Sequence, residues 1–213
     1  MNLRISRVYR SILRLKLNSK NRKLVKNKEV TIFSNNCVGG VIYSELGLKF
    51  HSPLINMFFY PKDYIKFLKN PKKYIYGEVL LKSQNQFNYL VVLIEDIEIH
   101  CVHFHSFEEI VQKWESRSKR INWDNIKVIM SERDGCTFDD LIEFDNLPYK
   151  DKVVFVHRNM PEIKSSIYIE DIDLNGEDGH MVKPLTDYLG KFTGKRIIDK
   201  WDYVKFINYG EIK

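Results

Sequence analysis

Two periods of apolar residues alternate along this chain, and their order predicts its architecture. Residues 29–35 make a short β-like run that passes into Ser34-Asn35-Asn36-Cys37-Val38-Gly39-Gly40. Residues 41–46 suit a short helix closed at Gly47. Ser52-Pro53 breaks the pattern, and residues 54–60, apolar and aromatic, fit a strand or a buried turn. Pro61 opens a helix that turns Tyr64, Ile65, Phe67 and Leu68 inward and ends near Asn70-Pro71. Residues 89–94 and 97–104 read as two strands joined at Glu95-Asp96, with Ile97, Ile99, Cys101 and His103 on one face of the second. Ser106, with Glu109 three residues on, caps a helix over 107–119 that buries Ile110, Val111 and Trp114. Residues 127–130 form a strand. Thr137 then caps a helix that buries Phe138, Leu141, Ile142 and Phe144 and stops at Pro148. Strands over 153–156 and 166–169, a polar loop over 171–183 and a helix over 196–209 complete the chain. This alternation predicts an α/β three-layer sandwich with a mostly parallel or mixed central sheet.

Charge divides the chain unevenly. Ten of its 34 basic residues lie in residues 1–28, which hold no acidic residue; the remainder carries 24 basic against 28 acidic residues. The net charge of +6 is therefore a property of an N-terminal arm, and residues 29–213 read as a single, mildly acidic α/β domain. A fold that binds nucleic acid spreads its cations over a folded face, so nucleic acid is not an expected partner. In the arm, Ile5, Val8, Ile12 and Leu15 recur at helical spacing among arginines. Such a basic amphipathic helix either lies on an anionic membrane surface or docks on the domain with its arginines in solvent. Its apolar run is too short and too charged to span a bilayer. Cys37, Cys101 and Cys136 are widely spaced and odd in number, which fits a reducing cytosol better than a disulfide framework. The expected location is cytoplasmic, peripheral on the inner membrane face.

In open α/β sheets ligands bind beyond the carboxyl ends of the strands. Four predicted strands end there in polar tips: Asn35-Asn36-Cys37, Glu132-Arg133-Asp134, His157-Arg158-Asn159 and, on the hairpin strand, His103-Phe104-His105. Cys37 is the candidate nucleophile and His105, His103 or His157 the candidate base. Asn35, Asn36 and the Gly39 and Gly40 amides would stabilise an oxyanion. Arg133 would hold a phosphate or carboxylate, and Asp134 would orient a histidine or bind a sugar hydroxyl. The glycines lead into neither Lys-Ser/Thr nor G-x-G-x-x-G, so the segment is neither a P-loop nor a dinucleotide fingerprint, and the cofactor is left unassigned. Cys101, His103 and His105 alternate onto one face as zinc ligands would, and Asp171-Ile172-Asp173 has the spacing of a metal-bound nucleotide-sugar site. No fourth ligand accompanies the first set, and short acidic motifs are common, so no metal site is assigned.

Several segments recur in a familiar order from about residue 28 onward. They are Ser34 to Gly40, Leu46-Gly47-Leu48-Lys49-Phe50 with Ser52-Pro53, Asp96-Ile97-Glu98-Ile99-His100, Trp114-Glu115, Arg120-Ile121-Asn122-Trp123-Asp124-Asn125, Arg133-Asp134-Gly135-Cys136-Thr137 and Leu147-Pro148-Tyr149-Lys150. On these segments the chain resembles a bacterial family associated with exopolysaccharide or capsule biosynthesis, whose reaction is unassigned. The resemblance implies a three-layer α/β domain and carries over no catalytic residue. With it, the expected function is transfer onto a surface-polysaccharide precursor, a sugar or lipid-linked sugar, with acyl transfer through Cys37 as the most concrete form. The alternatives are a glycosyl- or sugar-phosphate transferase using a nucleotide-sugar donor, and a non-catalytic carbohydrate-binding or scaffolding subunit.

Overall fold

The computed structural model describes residues 3–84, 86–170, 172–173 and 181–212. Helix α1 (Leu3–Leu24) precedes β1 (Thr31–Ser34), α2 (Val38–Leu46), α3 (Pro61–Lys69) and α4 (Pro71–Ile75). Strands β2 (Leu80–Leu81), β3 (Leu90–Ile94) and β4 (Ile97–Cys101) follow, then α5 (Phe107–Ser118), β5 (Ile126–Ser131), α6 (Phe138–Asp145), β6 (Lys152–Val156) and β7 (Ser166–Tyr168). Two short strands, β8 (Ile172–Asp173) and β9 (Met181–Val182), a 3₁₀ turn (Ile197–Lys200) and α7 (Tyr203–Tyr209) end the chain.

The central sheet has the order β1-β5-β6-β7, with every neighbouring pair parallel. Parallel strands are covered on both faces, which is why β1, β5 and β6 read as near-continuous apolar runs. Phe33, Val128, Met130, Val154 and Val156 face one core with residues of α3, α5 and α6. Ile32, Ile129, Val153 and Phe155 face the other, with residues of α2 and α7. The three layers expected from the sequence are thus present. β1 ends the sheet on one side, and its outward backbone is satisfied by a side chain: the Tyr43 hydroxyl donates to Val30 O at 2.8 Å and accepts from Ile32 N–H at 2.8 Å. A second, antiparallel sheet, β2-β3-β4, joins the first through residues 57–60. Phe58 exchanges backbone hydrogen bonds with His100, while Phe59 N–H donates to Asn35 O at 2.9 Å.

Three expected elements differ. The strand over 97–104 stops at Cys101, where Phe104 N–H turns back to Cys101 O; His103 is consequently exposed instead of sharing the buried face of Cys101. In α6 the buried stripe runs through Asp140, Leu141 and Phe144, because the capping box with Thr137 draws Asp140 inward; Phe138 and Ile142 are exposed. The helix over 196–209 is broken at Trp201, since Asp202 accepts Lys205 N–H at 2.9 Å and starts α7 afresh.

Helix α1 is docked by its polar side. Arg14 is buried and its guanidinium engages Glu45 of α2, Asp199 of the 3₁₀ turn and the Gly194 carbonyl. Burial opposes the charge of Arg14, but the two carboxylates outweigh it and hold the group protonated. Arg196 shares Glu45 at 2.9 Å, and the Arg10 and Arg196 guanidinium groups both lie over the Tyr188 ring. Asn21 donates to the Tyr203 hydroxyl, and Arg22 donates to the Glu45 and Ser44 carbonyls at the end of α2.

Candidate functional site

The strand order β1-β5-β6 places three of the four polar tips side by side at the carboxyl edge of the sheet, whereas the fourth, His103-Phe104-His105, follows β4 of the antiparallel sheet. On β1, Asn35 is buried and fully committed. Its side chain accepts from Ser131 N–H at 3.1 Å and donates to Ser131 O at 3.3 Å, clamping the ends of β1 and β5 together. Asn36 accepts from Val38 N–H at 3.1 Å and so caps the start of α2. Gly39 and Gly40 lie in the first turn of that helix for a steric reason. A Cβ on Gly39 would sit 3.0 Å from Ser34 Cβ and 3.3 Å from Ile32 Cγ2, and one on Gly40 would sit 3.1 Å from Ile55 Cγ2. The glycines let α2 lie close against β1 and the loop that carries Ile55.

Cys37 is half-buried at the head of α2, and burial pushes its thiol above the ordinary cysteine value. No hydrogen bond or ion pair joins it to a histidine among the described residues. The strand that leads to Cys37 and the strand that leads to His157 are separated by β5, so their axes lie roughly 10 Å apart. His105 sits at the surface ahead of α5, its backbone N–H bonded to Glu109 at 3.4 Å. Cys101 is sealed in the core with its thiol pushed up to about 12 by burial, while His103 and His105 face solvent. That trio therefore does not converge. Asp171 lies outside the described residues.

A carboxylate–imidazole pair occupies the centre of the edge. Glu132, only 7% exposed, accepts both the backbone N–H of His157 at 2.8 Å and its Nδ1 at 2.7 Å. With Nδ1–H directed at Glu132, the lone pair of the neutral ring resides on Nε2. The chain positions Glu132 through two further backbone bonds, from its N–H to Phe155 O and from Val182 N–H to its carbonyl. Arg133 reaches over the edge to the Val182 carbonyl, and its Nε is 3.9 Å from Asp134. Asp134 and Gly135 both take left-handed backbone (φ 57° and 78°), turning the chain from β5 towards α6. Burial raises the Asp134 carboxyl above the ordinary carboxylate value, partly offset by Arg133. Sequence reasoning gave roles to His157, Arg133 and Asp134 but none to Glu132, which it only counted in the same polar tip. The available signal was an acidic residue directly after a buried strand.

An aromatic cleft of about 590 Å³ borders this edge, lined by Tyr60, Lys82, Gln84, Gln86, Phe87, Glu98 and His100. It joins the sheet edge through the Phe59–Asn35 hydrogen bond, and the charge of Asp134 acts on the Tyr89 hydroxyl beside it. Phe87 and Tyr89 stack 5.0 Å apart, and Lys82 pairs with Glu98 at 2.6 Å. Aromatic faces with flanking amide, ammonium and carboxylate groups suit a saccharide ring. A larger cavity of about 720 Å³, walled by Tyr76, Phe107, Trp114 and Trp123, contains segments that carry the family resemblance but none of the candidate catalytic or binding residues named from the sequence. Trp123 precedes β5, which sets this cavity at the amino end of the sheet.

Residues 8–208 match a family described as a domain of unknown function (DUF1919). The chain belongs to this family. It is also 36% identical over 188 residues to an uncharacterized protein of Haemophilus influenzae, with 88% of each chain covered. Neither match carries an activity, and neither carries a polysaccharide role. The family relationship therefore covers α1 from Val8 onward together with the whole carboxyl edge, and the reaction has to be argued from the residues of that edge.

Proposed function

We propose that the chain is a transferase that moves a group from an activated donor directly onto a hydroxyl of a surface-polysaccharide precursor, with His157 as general base. The observation that carries this reading is the double hold of Glu132 on His157. A buried carboxylate that fixes both the backbone and Nδ1 of a histidine orients Nε2 and stabilises the imidazolium formed on proton uptake. Nε2 takes the hydroxyl proton as the acceptor oxygen bonds the transferred carbon, acyl or anomeric. The donor's carrier leaves with the electron pair of the broken bond. The aromatic cleft, which joins the edge through the Phe59–Asn35 hydrogen bond, supplies the stacking and hydrogen-bonding surface for the acceptor sugar. The polysaccharide class comes from the resemblance noted in the sequence. A covalent route through Cys37 is the weaker form, because burial disfavours its thiolate and no base adjoins it among the described residues.

Replacement of the chromosomal copy tests this reading. Surface polysaccharide is compared by NMR from hosts carrying the wild type, His157→Asn, Glu132→Gln or Cys37→Ala. Loss of a general base costs about 10²–10⁴ in rate. The His157→Asn and Glu132→Gln hosts should therefore match the deletion strain, and the Cys37→Ala host should match wild type. Wild-type polysaccharide from His157→Asn, or a deletion phenotype from Cys37→Ala alone, would overturn it. An altered polysaccharide on deletion with every point variant normal would favour the scaffolding alternative.

A further inference from the structure

The docking of α1 is inverted relative to an ordinary amphipathic helix. Its buried positions include Arg14, Asn18 and Ser6, whereas Val8, Ile12 and Leu15 are 57%, 48% and 65% exposed. These three stand at i, i+4 and i+7 and so form one stripe along the outer face. Tyr9 is also exposed on this helix, as are Arg7, Lys16, Lys20 and Lys23. None of those four cations has a carboxylate partner among the described residues. The rotation of the helix is set by the ion pairs of Arg14 with Glu45 and Asp199, since turning the apolar stripe inward would withdraw Arg14 from both.

We propose that the outer face of α1, the Val8–Ile12–Leu15 stripe with its cationic flanks, lies on an anionic lipid surface. Apolar residues between cations match the chemistry of an interfacial helix, with side chains entering the acyl boundary and cations meeting headgroup phosphates. A second copy of the chain fits poorly, because pairing two such faces would set the exposed Arg7, Lys16, Lys20 and Lys23 of one helix against the same four cations of the other, with no acidic residue in either helix. A nucleic-acid site would leave the central apolar stripe unused. Among the described residues no helix is long and apolar enough to cross a membrane, so the contact is with the surface. The inference is independent of the base assigned to His157, which sits at the sheet edge and not on α1.

Flotation of the full chain with phosphatidylglycerol vesicles and with phosphatidylcholine vesicles tests the proposal. Wild type should float with the anionic vesicles, with binding that weakens as salt rises, and should stay behind with the zwitterionic ones. The outer positions are exposed, so Val8→Asp/Ile12→Asp/Leu15→Asp and Lys16→Glu/Lys20→Glu/Lys23→Glu should retain the wild-type thermal melt. Each cation contributes about fivefold to such binding, so the loss of three should weaken it at least roughly a hundredfold. Absence of wild-type binding to phosphatidylglycerol, or binding by either variant as tight as that of the wild type, would overturn it. So would a concentration-dependent dimer in sedimentation that the aspartate variant abolishes while vesicle binding persists. Tighter binding to duplex DNA than to vesicles at the same salt would also overturn it, in favour of nucleic acid.

Discussion

The individual side chains divide into those that build the carboxyl edge and those to which the proposed chemistry is assigned. Asn35, Asn36, Gly39 and Gly40 build it: two amides spend their atoms on backbone groups, and two glycines admit a close helix. Glu132 holds His157 in one orientation. His100 raises a separate issue. It is buried among the rings of Phe58, Tyr60, Phe87 and Tyr89; its Nδ1 is 3.3 Å from the Tyr89 hydroxyl, and its Nε2 has no partner among the described residues. Burial lowers its pKa below 6.5. The unfolded chain then binds the proton more readily than the folded one. Stability from neutral His100 is fully present above the ordinary value and is lost as the pH falls below it. Urea midpoints of wild type should therefore drop between neutral and mildly acidic pH more than those of His100→Phe. Equal slopes for the two proteins would contradict this account of the cleft.

At the scale of elements, α1 shows what hydrophobic periodicity conveys and what it omits. The spacing of Val8, Ile12 and Leu15 correctly marks a helix, yet that face is the exposed one. Which side docks was decided by partners 31 and 185 residues away, Glu45 and Asp199, and no local pattern announces them. Arg14→Met should accordingly cost about 3 kcal/mol in urea unfolding, because it leaves Asp199 without its cation and Glu45 with Arg196 alone. A loss near zero would mean that packing, and not the ion pairs, holds α1. The caps behaved differently. Thr137 with Asp140, Ser106 with Glu109 and Gly47 after α2 are local signals, and each marks a helix end where the sequence placed it. The long helix over 196–209 was misread because its apolar period runs on through Trp201, while the Asp202 cap that splits it is a single residue.

For the molecule as a whole, the α/β layering was legible because parallel strands buried on both faces leave apolar runs too short for buried helices. That the tips lie beyond strand ends was legible as well, from the Gly and Asn residues that follow each run. Strand order was not, since it depends on crossovers whose packing is non-local; it is β1-β5-β6 that puts Glu132 between Asn35 and His157. Two of the concave regions among the described residues lie at opposite ends of the sheet strands, and the proposed chemistry belongs to the one of about 590 Å³ and not to the one of about 720 Å³. Amide chemical-shift mapping of the full chain with a panel of nucleotide sugars and free saccharides separates them directly. The account predicts perturbations clustered at Asn35, Tyr60, Glu132, Asp134 and His157. Perturbations confined to Tyr76, Trp114 and Trp123, with the carboxyl edge silent, would contradict it.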